Sequence, residues 1–351
     1  MDMDWYSQTR ICVGDHPTTS LCWRGDDLVD WVHGGDAWTA DGRFVSACRG
    51  WGYDRLDAAV ADASGRWALV HERTGTAGIL LRDGQIVREI HRSPYHADAF
   101  LFSACLFGGP GGRVLLAHCP DAYARIELDD AESGERLTRC ESREEVDFFH
   151  SRLAVSPGAR RLLSAGWVWH PWDAVVWFDI EAALEDPTRL DRLQGAACSR
   201  NVCLAEEASA TWLDDDRVII GGSDEPEDAE EASETDREQP GPRLRPNGLA
   251  LYDLGSQQYL QAIAVGYPPG TMMAAGSHHV VTFFERPRLV SLRSGRVVHE
   301  WEEIASGDLV SSIVHSRPCP VLALDPARAR FAVGAQGAIE VVALDLARLP
   351  D

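Results

Sequence analysis

Four of the chain's twelve tryptophans, Trp167, Trp169, Trp172 and Trp177, fall within one short stretch. Trp169 and Trp172 flank His170-Pro171, a pair that interrupts a strand, so their rings belong to a loop and could anchor a partner. Trp167 and Trp177 lie in apolar runs and read as core. His91, His96, His118, His150 and His170 also sit where polar residues break apolar runs. Three imidazoles with a carboxylate such as Asp98 or Asp173 would suit zinc or another transition metal. Histidines between strands can equally hydrogen-bond neighbouring backbone and tie strands together. The second reading is the one taken, so no metal and no cofactor are assigned.

Other chemistries find little support. All 33 basic side chains are arginine, which removes Schiff bases, lysine general bases and the P-loop lysine. No Gly-x-Ser-x-Gly elbow occurs; Ser156 falls in a turn and Ser151 precedes an arginine. Gly108-Gly109-Pro110-Gly111-Gly112 has the glycines of a phosphate loop but no following helix, so it reads as a long turn. Carboxylates are too numerous for any pair to stand out. No catalytic residue is assigned.

The net charge is −22. Such a chain repels phosphate backbones, which argues against nucleic acid, and attracts basic proteins. No stretch approaches the apolar length of a membrane span, and the acidic start Met1-Asp2-Met3-Asp4 is unlike a signal peptide. Nine cysteines without a Cys-x-x-Cys pair suit reduced thiols used as small hydrophobes. A cytoplasmic protein is expected.

The elements that must position these residues recur along the chain. A β-prone run, a tight polar turn and a second run appear at Ala58-Ala59-Val60-Ala61, Asp62-Ala63-Ser64-Gly65-Arg66 and Trp67-Ala68-Leu69-Val70. The pattern returns around Ser156-Pro157-Gly158, Asp214-Asp215-Asp216 and Asp325-Pro326-Ala327. A second hairpin follows each first one, as in Ile79 to Ile90 across Asp83-Gly84. Two hairpins make a four-stranded meander, the blade of a propeller.

The apolar strand, the Asp-x-x-Ser-Gly turn and the closing strand resemble WD-repeat-type bacterial β-propellers over nearly the whole chain. Phe178-Asp179 and Tyr252-Asp253 are similar to that family's blade-ending signature, although its Gly-His and Trp-Asp dipeptides are mostly missing. The resemblance implies an all-β, single-domain fold over residues 1–351 that serves as an interaction platform. Blade starts near Thr18, Leu56, Ala99, His150, Ala208, Thr271 and Val321 give seven four-stranded antiparallel blades. The N-terminal run Arg10-Ile11-Cys12-Val13 supplies the last strand and closes the ring. Residues 224–240 carry nine acids against one arginine and are expected to form a disordered insertion in blade five.

In a propeller, loops between the second and third strands emerge on the same face as loops between blades. That placement collects Tyr95, His96, Asp98, His150, Arg152, Trp169, His170, Trp172 and Asp173 as the expected partner-binding set. The expected role is non-catalytic binding of a basic protein, most specifically by a bacterial inhibitor or immunity-type protein that neutralises a basic toxin or enzyme. The alternatives are a metal-assisted hydrolase or lactonase acting at the ring mouth, and a scaffold in a larger assembly.

Overall fold

The structure is a computed structural model and describes residues 4–169, 172–193, 204–205, 207–223, 242–314, 318–335 and 337–351. His170, the acidic segment 224–240, Cys198 and Cys203 lie outside the described residues.

Seven antiparallel sheets follow one another along the chain, six of four strands and one of three. The innermost strands are Cys22–Arg24, Ala58–Ala61, Ala104–Gly108, Leu153–Val155, Ala208–Trp212, Met272–Ala275 and Val321–Asp325. The repeated polar turns produce the hairpins. In the second blade Asp62 accepts the Trp67 amide at 2.9 Å and the Ser64 hydroxyl at 2.6 Å, folding the chain back on its own carboxylate. Gly65 in that turn has φ +67°, and a Cβ there would meet the Trp23 carbonyl of blade one at 2.6 Å. The same device recurs where Asp214 accepts the Arg217 amide and Asp325 the Arg328 amide.

Strand alternation gives each blade two apolar faces. Leu69 and Leu80 of blade two meet Phe102, Leu106 and Leu116 of blade three, while Val70 and Ile79 face Val29 and Trp31 of blade one. Seven such clusters fill the seven junctions, among them Trp177 against Tyr252 between blades four and five. Trp177 is therefore core, as its run implied.

The ring closes as the N-terminal strand required. Tyr6–Cys12 pairs antiparallel with Ala338–Leu344, with Ile11 opposite Ile339. Ile11 and Val13 then pack with Leu28 and Trp38 of blade one, so the last junction is as apolar as the others. The second and third strands of blade five, Arg217–Gly222 and Gly248–Asp253, pair directly across the acidic insertion.

Blade three departs from the repeat. Its strands are Ala104–Gly108, Val114–His118 and Glu127–Asp130, and the fourth is reduced to a bridge between Asp129 and Arg136. A buried ionic network takes over there. Arg143 donates to both oxygens of Asp191 at 2.8 Å and approaches Glu127 at 3.6 Å, while Arg125 donates to Glu127 at 2.7 Å. Asp191 belongs to a second departure, the helix Ile180–Glu185 and the 3-10 turn Pro187–Asp191. Asp179 caps that helix by accepting the Ala182 amide at 2.8 Å, and Ile180, Ala183 and Leu190 seat it on the junction of blades three and four.

Candidate aromatic docking site

Four consecutive loops on the face that carries the inter-blade connections each contribute one ring. Tyr95 comes from the loop between blades two and three, and Tyr123 from the turn inside blade three. Phe149 comes from the loop between blades three and four, and Trp169 from the turn inside blade four. Phe149 stacks on Trp167 at the base, Tyr123 stacks on Phe149, and Tyr95 lies beside both Tyr123 and Phe149, 6.1 Å from Phe149, with its ring nearly parallel to theirs. Trp167 lies 3.8 Å from Phe149, Phe149 4.0 Å from Tyr123, and Tyr123 5.1 Å from Tyr95, all within 22° of parallel. Trp169 stands edge-on to Phe149 and Trp167 at 5.3 Å, and His96 meets Trp169 at 5.2 Å and Tyr95 at 4.5 Å. The base is sealed, with Phe149 at 0% and Trp167 at 3% exposure. The outer members are open, with Tyr95 at 47% and Trp169 at 40%. A rigid aromatic knob results, its rings held by one another rather than by flexible chain.

The loop carrying Tyr95 and His96 is shaped by one buried arginine. Arg92 donates to the carbonyls of Gly75, Leu101, Ala97 and Phe100 at 2.7 to 3.0 Å, and its guanidinium lies 4.5 Å over the Phe100 ring. Burial pulls its pKa down to about 10, which still leaves it charged at neutral pH. His96 takes φ +50°, a left-handed conformation that the surrounding bonds enforce.

The mouth of the ring is crossed by a strap. The connection from blade six to blade seven runs over to the far side, where Ile313 bridges Phe100 and the Val314 amide reaches the Ala99 carbonyl at 2.8 Å. The Ser312 amide lies 3.2 Å from each Asp173 oxygen, and the Ser312 hydroxyl donates to the same carboxylate. Ser312 is fully buried, and Ile313 packs under Phe100, Phe149 and Trp167. The strap therefore ties this connection to blades three and four and supports the knob from below.

The expected site residues divide accordingly. Tyr95, His96 and Trp169 come together in the knob, and Asp98 is exposed on the Tyr95 loop. His150 and Asp173 do not reach the surface. His150 is 1% exposed, shares a hydrogen bond of 3.1 Å with the Ser164 hydroxyl, and is driven by burial to a pKa of about 3. It holds strands together. Asp173 is wholly buried; desolvation pushes its carboxyl above the usual range, opposed by Arg152 at 3.6 Å, by the Ala208 amide of blade five and by the Ser312 and Ser311 hydroxyls of the strap. Arg152 is half-buried and donates to the carbonyls of Ala165 at 2.9 Å and Ala208 at 2.7 Å. Trp172 is half-buried as the first residue of a strand, opposite Val168. His150 and Asp173 therefore serve the scaffold, because a side chain near a strand end points between blades as readily as outward.

Sequence reading missed Tyr123, Phe149 and Asp147. The available signal was one aromatic residue in each of four successive loops of that face. The Tyr123 hydroxyl donates to Asp147 at 2.8 Å; burial and this bond hold the phenol above its ordinary pKa, so it stays protonated. Glu145 and Asp147 are exposed on the adjoining loop beside Tyr123, which gives the knob an acidic flank. Among the described residues no three His, Cys, Asp or Glu side chains are grouped to hold a metal ion, and no helix is long and apolar enough to cross a membrane. Neither a protein-family model nor a curated protein matches the chain.

Proposed function

We propose that this propeller binds a protein with a basic surface through the aromatic knob of blades two to four. The observation that carries the reading is the half-exposed pair Tyr95 and Trp169 on a fully buried aromatic base. Rigid aromatic side chains lose little entropy on docking and dominate interface energetics. The acidic flank and the net charge of −22 steer a basic partner toward them. The more specific role is that of an inhibitor or immunity-type protein that covers the working surface of a basic toxin or enzyme in the cytoplasm.

The test compares the intact protein with a Tyr95→Ala/Trp169→Ala variant as immobilised bait. The expected result is one basic protein recovered stoichiometrically by the wild type, neutralised by it at equimolar ratio, and bound about 10- to 100-fold more weakly by the variant. Equal recovery by bait and variant of matching melting temperature would remove the knob from the interface.

A further inference from the structure

The chain repeatedly places an arginine over an aromatic ring and a carboxylate beside that arginine. Arg330 lies 3.9 Å over Trp23 and pairs with Asp325 at 2.9 Å and Asp26 at 3.0 Å. Arg288 lies 4.2 Å over Tyr267 and pairs with Glu300 at 3.2 Å. Arg82 lies 5.5 Å over Trp67 and pairs with Glu132. The knob holds the ring and the carboxylate of this arrangement. The open ring is Tyr95, stacked on Tyr123, whose hydroxyl is bonded to Asp147. Among the described residues, no guanidinium of this chain lies over Tyr95 or Trp169.

We infer that the exposed face of Tyr95 is an arginine-accepting subsite, where a guanidinium from the partner stacks on the ring and pairs with Asp147, which is bonded to the adjacent Tyr123. The inference rests on the docking reading above and adds the side chain recognised. A planar, weakly hydrated guanidinium stacks on a ring and forks onto a carboxylate at once, whereas an ammonium is a compact, strongly hydrated point charge. Asp147 accepts the Tyr123 hydroxyl on Oδ1, and its Oδ2 is the acceptor assigned to the incoming arginine. His96 stands edge-on to Tyr95 and borders the same position.

The probes are hexa-arginine, hexa-lysine and hexa-citrulline peptides, titrated into the full chain at physiological salt by calorimetry. The net charge draws both cationic peptides equally, so their ratio isolates stacking from Coulombic attraction. The expected result is about tenfold tighter binding of hexa-arginine than of hexa-lysine, with hexa-citrulline weakest. Tyr95→Ala/Trp169→Ala should bring the ratio to about one while hexa-lysine affinity holds. Tyr95→Phe should keep the preference, and Asp147→Asn should reduce it several-fold. A wild-type ratio near one overturns the subsite, as does a preference that survives Tyr95→Ala/Trp169→Ala. A lost preference with partner recovery still sensitive to Tyr95 and Trp169 overturns the subsite alone; insensitivity in both assays overturns the docking reading with it.

Discussion

Acid should unfold this protein through two buried imidazoles. His150 is driven from 6.5 to about 3 by burial and then by the Arg143 charge. His71 is driven from 6.5 to about 4 by burial, against the opposing pull of its 3.0 Å contact with the Glu72 carbonyl. A histidine whose folded pKa is depressed stabilises the fold above its unfolded pKa, and that stabilisation is lost as pH falls toward the folded value. At pH 4.5 each ring stays neutral about two units below its unfolded pKa, which at about 1.36 kcal/mol per unit costs about 3 kcal/mol. Together they remove about 5 kcal/mol between pH 7.5 and 4.5, comparable to the whole stability of many domains. His279 and His299 are depressed by partial burial and add a smaller effect of the same sign. Asp173 is raised by burial and acts in the opposite sense. Urea unfolding followed by tryptophan fluorescence at the two pH values measures the difference. His150→Asn should shrink the pH-dependent part by about half, whatever its cost at pH 7.5. A drop below about 1 kcal/mol, or one unchanged in His150→Asn, would refute the assignment of neutral, buried rings.

Arg143→Ala should cost about 3–5 kcal/mol, because it leaves the buried Asp191 carboxylate without its cation while Glu127 keeps only Arg125; adding Asp191→Asn should recover part of the loss in the same urea melts. Ser312→Ala should weaken the strap by about 1–2 kcal/mol, read as faster hydrogen exchange at the Val314 amide with little change in blade-core amides. Deleting residues 1–14 removes seven register pairs from the closing blade and exposes the Ile339 edge; an unchanged melting temperature would show that ring closure contributes no stability.

The architecture was legible because each blade repeats a local rule. Asp62, Ser156, Asp214 and Asp325 mark hairpin turns whatever the rest of the blade does, and Ile11 carries the apolar residue that its final junction needs. Inner strands expected at Ala208 and Val321 begin there, and the one expected at Thr271 begins at Met272. The strand expected at Ala99 begins at Ala104, because residues 99 and 100 are extended for a different reason: they pair with the strap. Such pairing joins segments more than two hundred residues apart and leaves no local pattern. For the same reason Asp173 read as an exposed loop acid although it anchors Ser312. Tyr95, His96 and Trp169 come together on one face because loop order around a ring is topological. Tyr123 and Phe149 were missed because stacking depends on the depth at which each loop leaves its blade.

Ring closure also fixes an order in time. Gln8 and Glu340, bonded in the finished protein, are separated by 332 positions. At about 5–20 residues per second, the first strand waits about 17 to 66 s after synthesis before its partner exists. Through that interval it is an unpaired β-edge on a growing chain, open to any neighbouring strand. Its sequence suits the wait. Ser7, Gln8, Thr9 and Arg10 stay exposed even in the completed blade, and Ile11 alone is buried. A strand so polar gains little from a wrong partner, so the latch can remain soluble until the seventh blade arrives to receive it.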